Sequence, residues 1–351
     1  MYARIRPLLF RLDPEDAHTL TLQLIRLAGS LPPVRGLLRA LMAAPAQPVQ
    51  AFGLTFPNPV GLAAGYDKDG LGWRGMACLG FGHIEVGTIT PRPQPGNPRP
   101  RIFRLPEEHA LINRMGFPSR GADFVARRLR GARSTGLVLG ANLGKNKDTP
   151  LEQAAEDYLR LLPVFAPLVD YLAINVSSPN TVGLRRLQAR QALESLLGQL
   201  ETERQAQEVR LGRRLPLLVK LAPDLNETEL DDALQAILDT SMDGVIATNT
   251  TVGRDDIRSP LAEEAGGLSG APLSRQSTQI IRLIQARTQG KLPIIGVGGV
   301  MNAEEARRKL EAGATLIQIY TGMIYAGPGL VKRILQGMAG EMPARDGQTC
   351  G

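Results

Sequence analysis

The chain is short of cysteine, histidine and aromatic residues, and each shortage excludes something. Its 351 residues hold two cysteines, Cys78 and Cys350, with no spaced framework for a disulfide-stapled fold, so a reducing compartment is expected. Only His18, His83 and His109 are present, none beside a cysteine pair, so no metal centre is expected. Aromatics make up 4% of the chain and no Lys/Arg block exceeds three residues. Nucleic-acid readers need basic stripes with stacking platforms, so no nucleic-acid partner is expected. No apolar run approaches the roughly 18 residues of a membrane-spanning helix. Arg4 and Arg6 precede only Leu8-Leu9-Phe10, too short for the core of a signal peptide.

Apolar residues reach 43%, ample for a core, and the net charge is +7. With nucleic acid set aside, that excess points to anionic small ligands or an anionic membrane surface.

Residues 1–43 stand apart. Asp13-Pro14-Glu15 is a helix start, and Ala17, Leu20, Leu24 and Leu27 follow at helical spacing. After Leu31-Pro32-Pro33, a second pattern puts Val34, Leu37, Leu38, Leu41 and Met42 on one face, with Arg35 and Arg39 off it. Two amphipathic helices in a hairpin are predicted. Their apolar face either packs on the rest of the chain or meets lipid, helped by a net charge of about +3 over residues 1–43. Residues 44–58 read as a linker with short strands at the bottom of the main domain.

From residue 59 one theme repeats: a short apolar run, a polar loop, then a helical pattern. The runs are 59–64, 82–89, 136–142, 169–175, 215–221, 243–249, 292–298 and 315–321. Asn226 and Asn302 each precede a Glu by three residues, a capping-box spacing. Continuous apolar strands alternating with helices imply a parallel sheet covered on both faces. Eight units predict a (β/α)8 TIM barrel over residues 59–340, with a doubly wound open sheet as the competing arrangement. Residues 341–351 read as a disordered tail.

Each run ends in something chemically specific: Asp67-Lys68 just past the first, then Thr88, Asn142, Asn175, Lys220, Thr248-Asn249-Thr250, Gly298-Gly299 and Tyr320-Thr321. A barrel brings these to one mouth. GVGG (296–299) and TGMIYAGPG (321–329) are glycine-rich loops before helices, and GGLSG (266–270) adds a third close-approach loop. Backbone N–H groups at the seventh and eighth loops of a barrel form its usual phosphate site. A phosphate grip beside many amides suits flavin mononucleotide, with Lys220 as the cation near the ring and Asn142, Asn175 and Thr248 along its polar edge. A Schiff base on Lys220 is the alternative.

The motifs DPEDAH (13–18), AAGYDKDG (63–70), EVGTIT (85–90), INRMGFPS (112–119), GANLGKNK (140–147), INVSSPNTVGLR (174–185), VKLAPD (219–224), ATNTT (247–251) and IQIYTGM (317–323), together with the glycine loops, resemble quinone-dependent dihydroorotate dehydrogenase, in order and over nearly the whole chain. The resemblance implies oxidation of dihydroorotate to orotate in pyrimidine biosynthesis, with FMN as hydride acceptor and a membrane quinone as final acceptor. It also implies a membrane-associated protein, and without a targeting peptide a peripheral place on the cytoplasmic side of a bacterial inner membrane is expected.

By the same resemblance Ser178 is the catalytic base, where the soluble branch typically has Cys, with Thr181 as its proton relay beside Phe117. Cofactor contacts fall on Ala64, Gly65, Lys68, Thr88, Asn142, Asn175, Lys220, Thr248, Gly270, Gly299, Tyr320 and Thr321. Substrate contacts fall on Lys68, Asn113, Arg114, Met115, Gly116, Phe117, Asn175, Asn180, Asn249 and Thr250. Arg104, Tyr320 and His18 match positions along a quinone tunnel between hairpin and barrel. Arg104 could equally serve as a loop ion-pair partner, and His18 could simply pack. Val182 stands where the family often has Pro, and Tyr66 where Phe or Leu is usual, so the Tyr66 hydroxyl needs a partner if buried.

Overall fold

The eight apolar runs form eight parallel strands. The computed structural model describes residues 2–131, 137–255 and 257–339. The strands are β1 (Val60–Leu62), β2 (His83–Ile89), β3 (Val138–Leu143), β4 (Tyr171–Asn175), β5 (Leu217–Leu221), β6 (Gly244–Ala247), β7 (Ile294–Val297) and β8 (Leu316–Ile319). Each pairs with the next, and β8 closes on β1 through Ile317 opposite Val60 and Ile319 opposite Leu62. The closed ring decides for the (β/α)8 barrel over the open sheet. Gly136 and the tail 341–351 lie outside the described residues.

All residues of these strands are buried, because one face meets the barrel interior and the other the helices. Ile84 and Val86 of β2 join the large helix-facing core. By strand alternation His83 and Glu85 point inward. Two glycines make room there. A Cβ on Gly61 would lie 2.1 Å from the His83 ring, and one on Gly140 2.1 Å from the Tyr171 ring. Below them, Val49–Ala51 pairs antiparallel with Leu54–Phe56, and Phe52 and Phe56 pack among inward residues at the amino end of the barrel. The linker region therefore contains a hairpin that plugs the barrel floor.

Asn226 forms the full capping box with Glu229. Asn302 caps only one way: it accepts from Glu305 N–H, while the Glu305 carboxylate engages Ser274 and Arg308 instead.

Three departures from the expected elements have physical causes. The amino-terminal segment holds three helices, not two: α1 (Tyr2–Leu9), α2 (Pro14–Ser30) and α3 (Pro32–Met42). An eight-residue helix is marginal alone, and α1 is held by tertiary bonds, Tyr2 hydroxyl to Ile324 O (2.5 Å) and Arg6 to Tyr325 O (3.1 Å). Second, GGLSG is not a loop. Gly267–Gly270 is the edge strand of a three-stranded antiparallel sheet with Ala110–Asn113 and Ile102–Leu105, its backbone paired from Gly267–Asn113 to Gly270–Ala110. Third, residues 321–329 begin as a short helix, Thr321–Ala326, before the turn at Gly327.

Asp13 caps α2 as expected, accepting from Glu15 and Asp16 N–H. Glu15 then anchors the helix to the barrel side through Arg101 at 2.7 and 3.0 Å. Burial pushes its carboxyl up, but Arg101 and Arg99 outweigh that and leave it below the usual range.

Candidate functional site

The strands' carboxyl ends converge on a polar cavity. Its wall includes Ala64, Gly65, Lys68, Thr88, Asn113, Met115, Gly116, Phe117, Asn175, Ser178, Asn180, Lys220, Thr248, Asn249, Thr250, Gly270, Gly299, Tyr320 and Thr321. Of the expected catalytic, cofactor and substrate residues, three are not in the wall. Asn142 is fully buried beneath it. Arg114 turns away to Glu264 (2.5 Å) and lies over the Phe103 ring. Thr181 is buried near the wall without being part of it.

The wall amides hang on a chain of hydrogen bonds that starts at a carboxylate the strand-end pattern does not single out. Glu85, inward on β2 and fully buried, accepts from Asn142 Nδ2 (2.8 Å), the Tyr171 hydroxyl (3.0 Å) and Gln318 Nε2 (3.0 Å). Because an ionised carboxylate only accepts, the Asn142 NH2 must face it and its Oδ1 must face the mouth. That Oδ1 accepts from Thr88 Oγ1 (2.6 Å) and Asn175 Nδ2 (3.0 Å). Asn175 Oδ1 in turn accepts from Ser177 Oγ (3.1 Å) and Asn249 Nδ2 (3.4 Å). One charge at the barrel centre thus fixes the polarity of three amides above it. A lone Glu in the apolar run GHIEVGTI was the signal available in the sequence.

Lys220, on β5, is buried and its Nζ makes no hydrogen bond to any described residue. Burial pushes its pKa down, and the Glu85 charge pulls it back. Lys68 donates to Gly65 O (2.6 Å), and burial pushes it down to about 8. Two ammonium groups therefore face one cavity with few protein partners, which fits an anionic or electron-rich occupant.

Ser178 lies in the loop after β4. Its Oγ accepts from Asn180 N–H (3.2 Å), and among the described residues no carboxylate or imidazole bonds to it. Asn180 ties the loop to the antiparallel sheet through Asn113 O (3.0 Å), and Asn97 Nδ2 donates to Asn180 O (3.3 Å). Arg185 staples its far side to Ser177 O, Asp224 and Thr250 O. Val182, at the tip, is 89% exposed and touches none of this.

A second cavity, of about 370 Å³ and mainly apolar, lies between the three amino-terminal helices and the barrel. Leu9, Phe10, Leu24, Leu38 and Met323 line it, with His18, Tyr66 and Arg104 as polar groups. Tyr320 lines both cavities. Arg104 lies in the strand Ile102–Leu105, over the Phe10 ring at 4.7 Å, and donates to Leu9 O and Leu12 O. Among the described residues its hydrogen bonds go to carbonyls, and the Asp13 charge acts on it without an ion-pair contact. His18 meets Tyr66 edge-on, and burial with the Lys68 charge pushes the imidazole down to about 3. The Tyr66 hydroxyl lies near Thr21 of α2, whose own hydroxyl donates to Ala17 O and His18 O.

Around this cavity Leu8, Leu20, Leu24, Leu27, Leu37 and Leu41 are all exposed by 44% or more. No helix among the described residues is long and apolar enough to cross a membrane.

A closed (β/α)8 barrel with amides, hydroxyls and two lysines at its carboxyl-end mouth has the form of a barrel enzyme. A sequence model of the dihydroorotate dehydrogenase family matches residues 47–342. A protein named dihydroorotate dehydrogenase (quinone) from Roseiflexus sp. (strain RS-1) is 53% identical over 99% of this chain and 96% of its own length. One of the same name from Halorhodospira halophila is 50% identical over 97% of this chain and 98% of its own. The crystal structure of DHODH from Eimeria tenella in complex with ferulenol superposes with a TM-score of 0.84 at 39% identity, covering 93% of both chains. The chain belongs to the dihydroorotate dehydrogenase family.

Proposed function

We propose that the chain oxidises (S)-dihydroorotate to orotate in pyrimidine biosynthesis, with FMN held in the polar cavity and a membrane quinone as the final electron acceptor. FMN, when bound, supplies the hydride acceptor. The observation that carries the reading is that Ser178 and the ammonium of Lys220, unpaired among the described residues, line one cavity, with the Gly298-Gly299 turn in the same wall. Family membership displaces the Schiff-base use of Lys220.

Lys220 would counter the charge of reduced flavin, with Thr88, Asn175 and Thr248 on its polar edge and Asn142 acting from beneath. Gly270, Gly299 and Thr321 offer close backbone approach for the rest of the cofactor. Asn113, Asn180, Asn249 and Thr250 suit a ring presenting carbonyls, N–H groups and a carboxylate, and Lys68 suits the carboxylate. Ser178 is the base that takes a proton from the ring carbon beside a carbonyl. A serine is a weak base, so it depends on a site closed to water. Its burial, with Asn180 N–H bonded to Oγ, supports that role, and Thr181, buried three residues on, would pass the proton outward.

The apolar cavity serves quinone entry, with Arg104 and His18 as its polar groups and Tyr320 shared with the flavin side. The leucine-rich outer faces of α2 and α3 would rest on an anionic membrane surface, on the cytoplasmic side of a bacterial inner membrane.

An anaerobic absorbance spectrum before and after dihydroorotate tests the core of this. Flavin bands should bleach on addition and return with a soluble quinone. Bands that persist would discard the substrate, and a protein that neither contains nor rebinds flavin would discard the cofactor.

A further inference from the structure

Lys309, on the helix Ala303–Glu311, is fully buried and makes no ion pair among the described residues. Its Nζ donates to Ser277 Oγ and, at 3.2 Å, to Thr278 Oγ1, both on the helix Leu273–Arg287. The nearby Glu305 carboxylate is bonded to Ser274 and Arg308 instead. Burial pushes Lys309 down to about 7, with Glu305 pulling it back up. A buried ammonium held only by hydroxyls is costly, and two hydroxyls alone are a poor reason to keep it.

The reason lies one bond further on. With its Oγ accepting from Lys309, Ser277 has one proton to give; it faces Gly298 O at 3.0 Å and Ser274 O at 3.2 Å, and the shorter contact is the one to Gly298. The Gly298–Gly299 peptide is trans. Across a trans peptide the C=O and the next N–H point opposite ways. With the Gly298 carbonyl pinned toward the helix, the Gly299 N–H must face the other way, and both glycines line the polar cavity. That N–H has no backbone acceptor among the described residues. The turn is pressed against its support: a Cβ on Gly299 would lie 2.4 Å from Ser274 Cα. Both glycines have positive φ, 115° and 73°.

We propose that Lys309 is a positioning residue for the cofactor's phosphate: through Ser277 it fixes the Gly298 carbonyl, aims the Gly299 N–H at a phosphate oxygen, and places a positive charge behind that peptide. This rests on the reading of the polar cavity as an FMN site. The hydrogen-bond chain runs in one direction, ammonium to hydroxyl to carbonyl, so each link polarises the next toward the anion.

Riboflavin, which is FMN without its phosphate, separates this from a role in packing. Flavin-free protein is titrated with FMN and with riboflavin, followed by quenching of flavin fluorescence, for the unsubstituted chain, Lys309→Met, Ser277→Ala and Thr278→Val. FMN should bind about tenfold more weakly to Lys309→Met and Ser277→Ala, the scale of one hydrogen bond to a charged group. Riboflavin affinity should not move, and Thr278→Val should match the unsubstituted chain for both. If Lys309→Met fails to fold, Ser277→Ala reads the same relay with a single atom removed. Equal weakening of FMN and riboflavin, or no weakening of either, overturns the proposal. A loss in Thr278→Val equal to that in Ser277→Ala overturns the relay. If the unsubstituted chain itself binds FMN no tighter than riboflavin, it is the phosphate site that falls.

Discussion

His83 sits inward at the foot of the barrel, and neither ring nitrogen has a hydrogen-bond partner among the described residues. Its neighbours are the Phe56 ring, edge-on at 5.3 Å, and the backbone of Gly61. Burial alone pushes the imidazole from 6.5 down to about 3, so the native state refuses a proton that the unfolded chain accepts. Stability is therefore unaffected well above pH 6.5 and falls as the pH drops below it, down to the native value near 3. At about 1.4 kcal/mol per pH unit below 6.5, acidification from pH 7.5 to 5 should cost about 2 kcal/mol through this one residue. His83→Phe removes it. The larger ring can add a packing cost of roughly 1–3 kcal/mol, but that cost is independent of pH and shifts the whole curve without changing its slope. Urea unfolding at both pH values gives the two slopes, and His83→Phe should lose about 2 kcal/mol less on acidification. His18, also pushed down to about 3, keeps its own contribution in both proteins. Parallel curves would refute the reasoning, because they would mean His83 takes up its proton in the native state.

Three further perturbations address the site. Ser178→Ala should keep flavin bound while flavin reduction by dihydroorotate slows roughly 10²–10⁴-fold, the range of a lost general base, and stopped-flow bleaching near the normal rate would sink the assignment. Arg104→Ala should slow reoxidation by quinone and spare flavin reduction, and equal damage to both half-reactions would deny it a role confined to the apolar cavity. Glu85→Gln removes the charge and leaves one acceptor oxygen where two served, so its NH2 must meet a donor, either Asn142 Nδ2 or the pair Tyr171 hydroxyl and Gln318 Nε2; it should lower stability by about 1–3 kcal/mol and weaken orotate binding. Unchanged melting and an unchanged orotate titration would show that the amide chain does not depend on that charge.

The barrel was legible because each strand is buried on both faces, which writes it as a continuous apolar run, and all eight runs from Pro59 to Thr321 became strands. The mouth was legible for the same reason, since polar residues ending such runs stand out. What escaped depended on partners distant in sequence. The helix α1 exists through bonds to residues 324 and 325, and Gly267–Gly270 is a strand only because Ala110–Asn113 lies beside it. Neither has a local pattern strong enough to announce itself. Arg114, inside a motif that read as substrate-binding, is drawn off by Glu264, which lies 150 residues away.

Glu85 and Lys309 mark a different limit. Glu85 is the one acidic residue in an apolar run, where hydropathy counts it only as a blemish, and Lys309 is one of six charged residues on the helix Ala303–Glu311, where nothing in the spacing marks it as the buried one. Both act through neutral intermediaries: Glu85 through Asn142 on the wall amides, and Lys309 through Ser277 on the Gly298 carbonyl. A charge that never touches the cavity can still set which way the dipoles lining it point, because a carboxylate cannot donate and an ammonium cannot accept. That directionality is invisible in spacing and appears only when the hydrogen bonds are followed from one atom to the next. It also separates the two from ordinary buried ion pairs, in which the charges satisfy each other and leave no preferred direction for the groups around them.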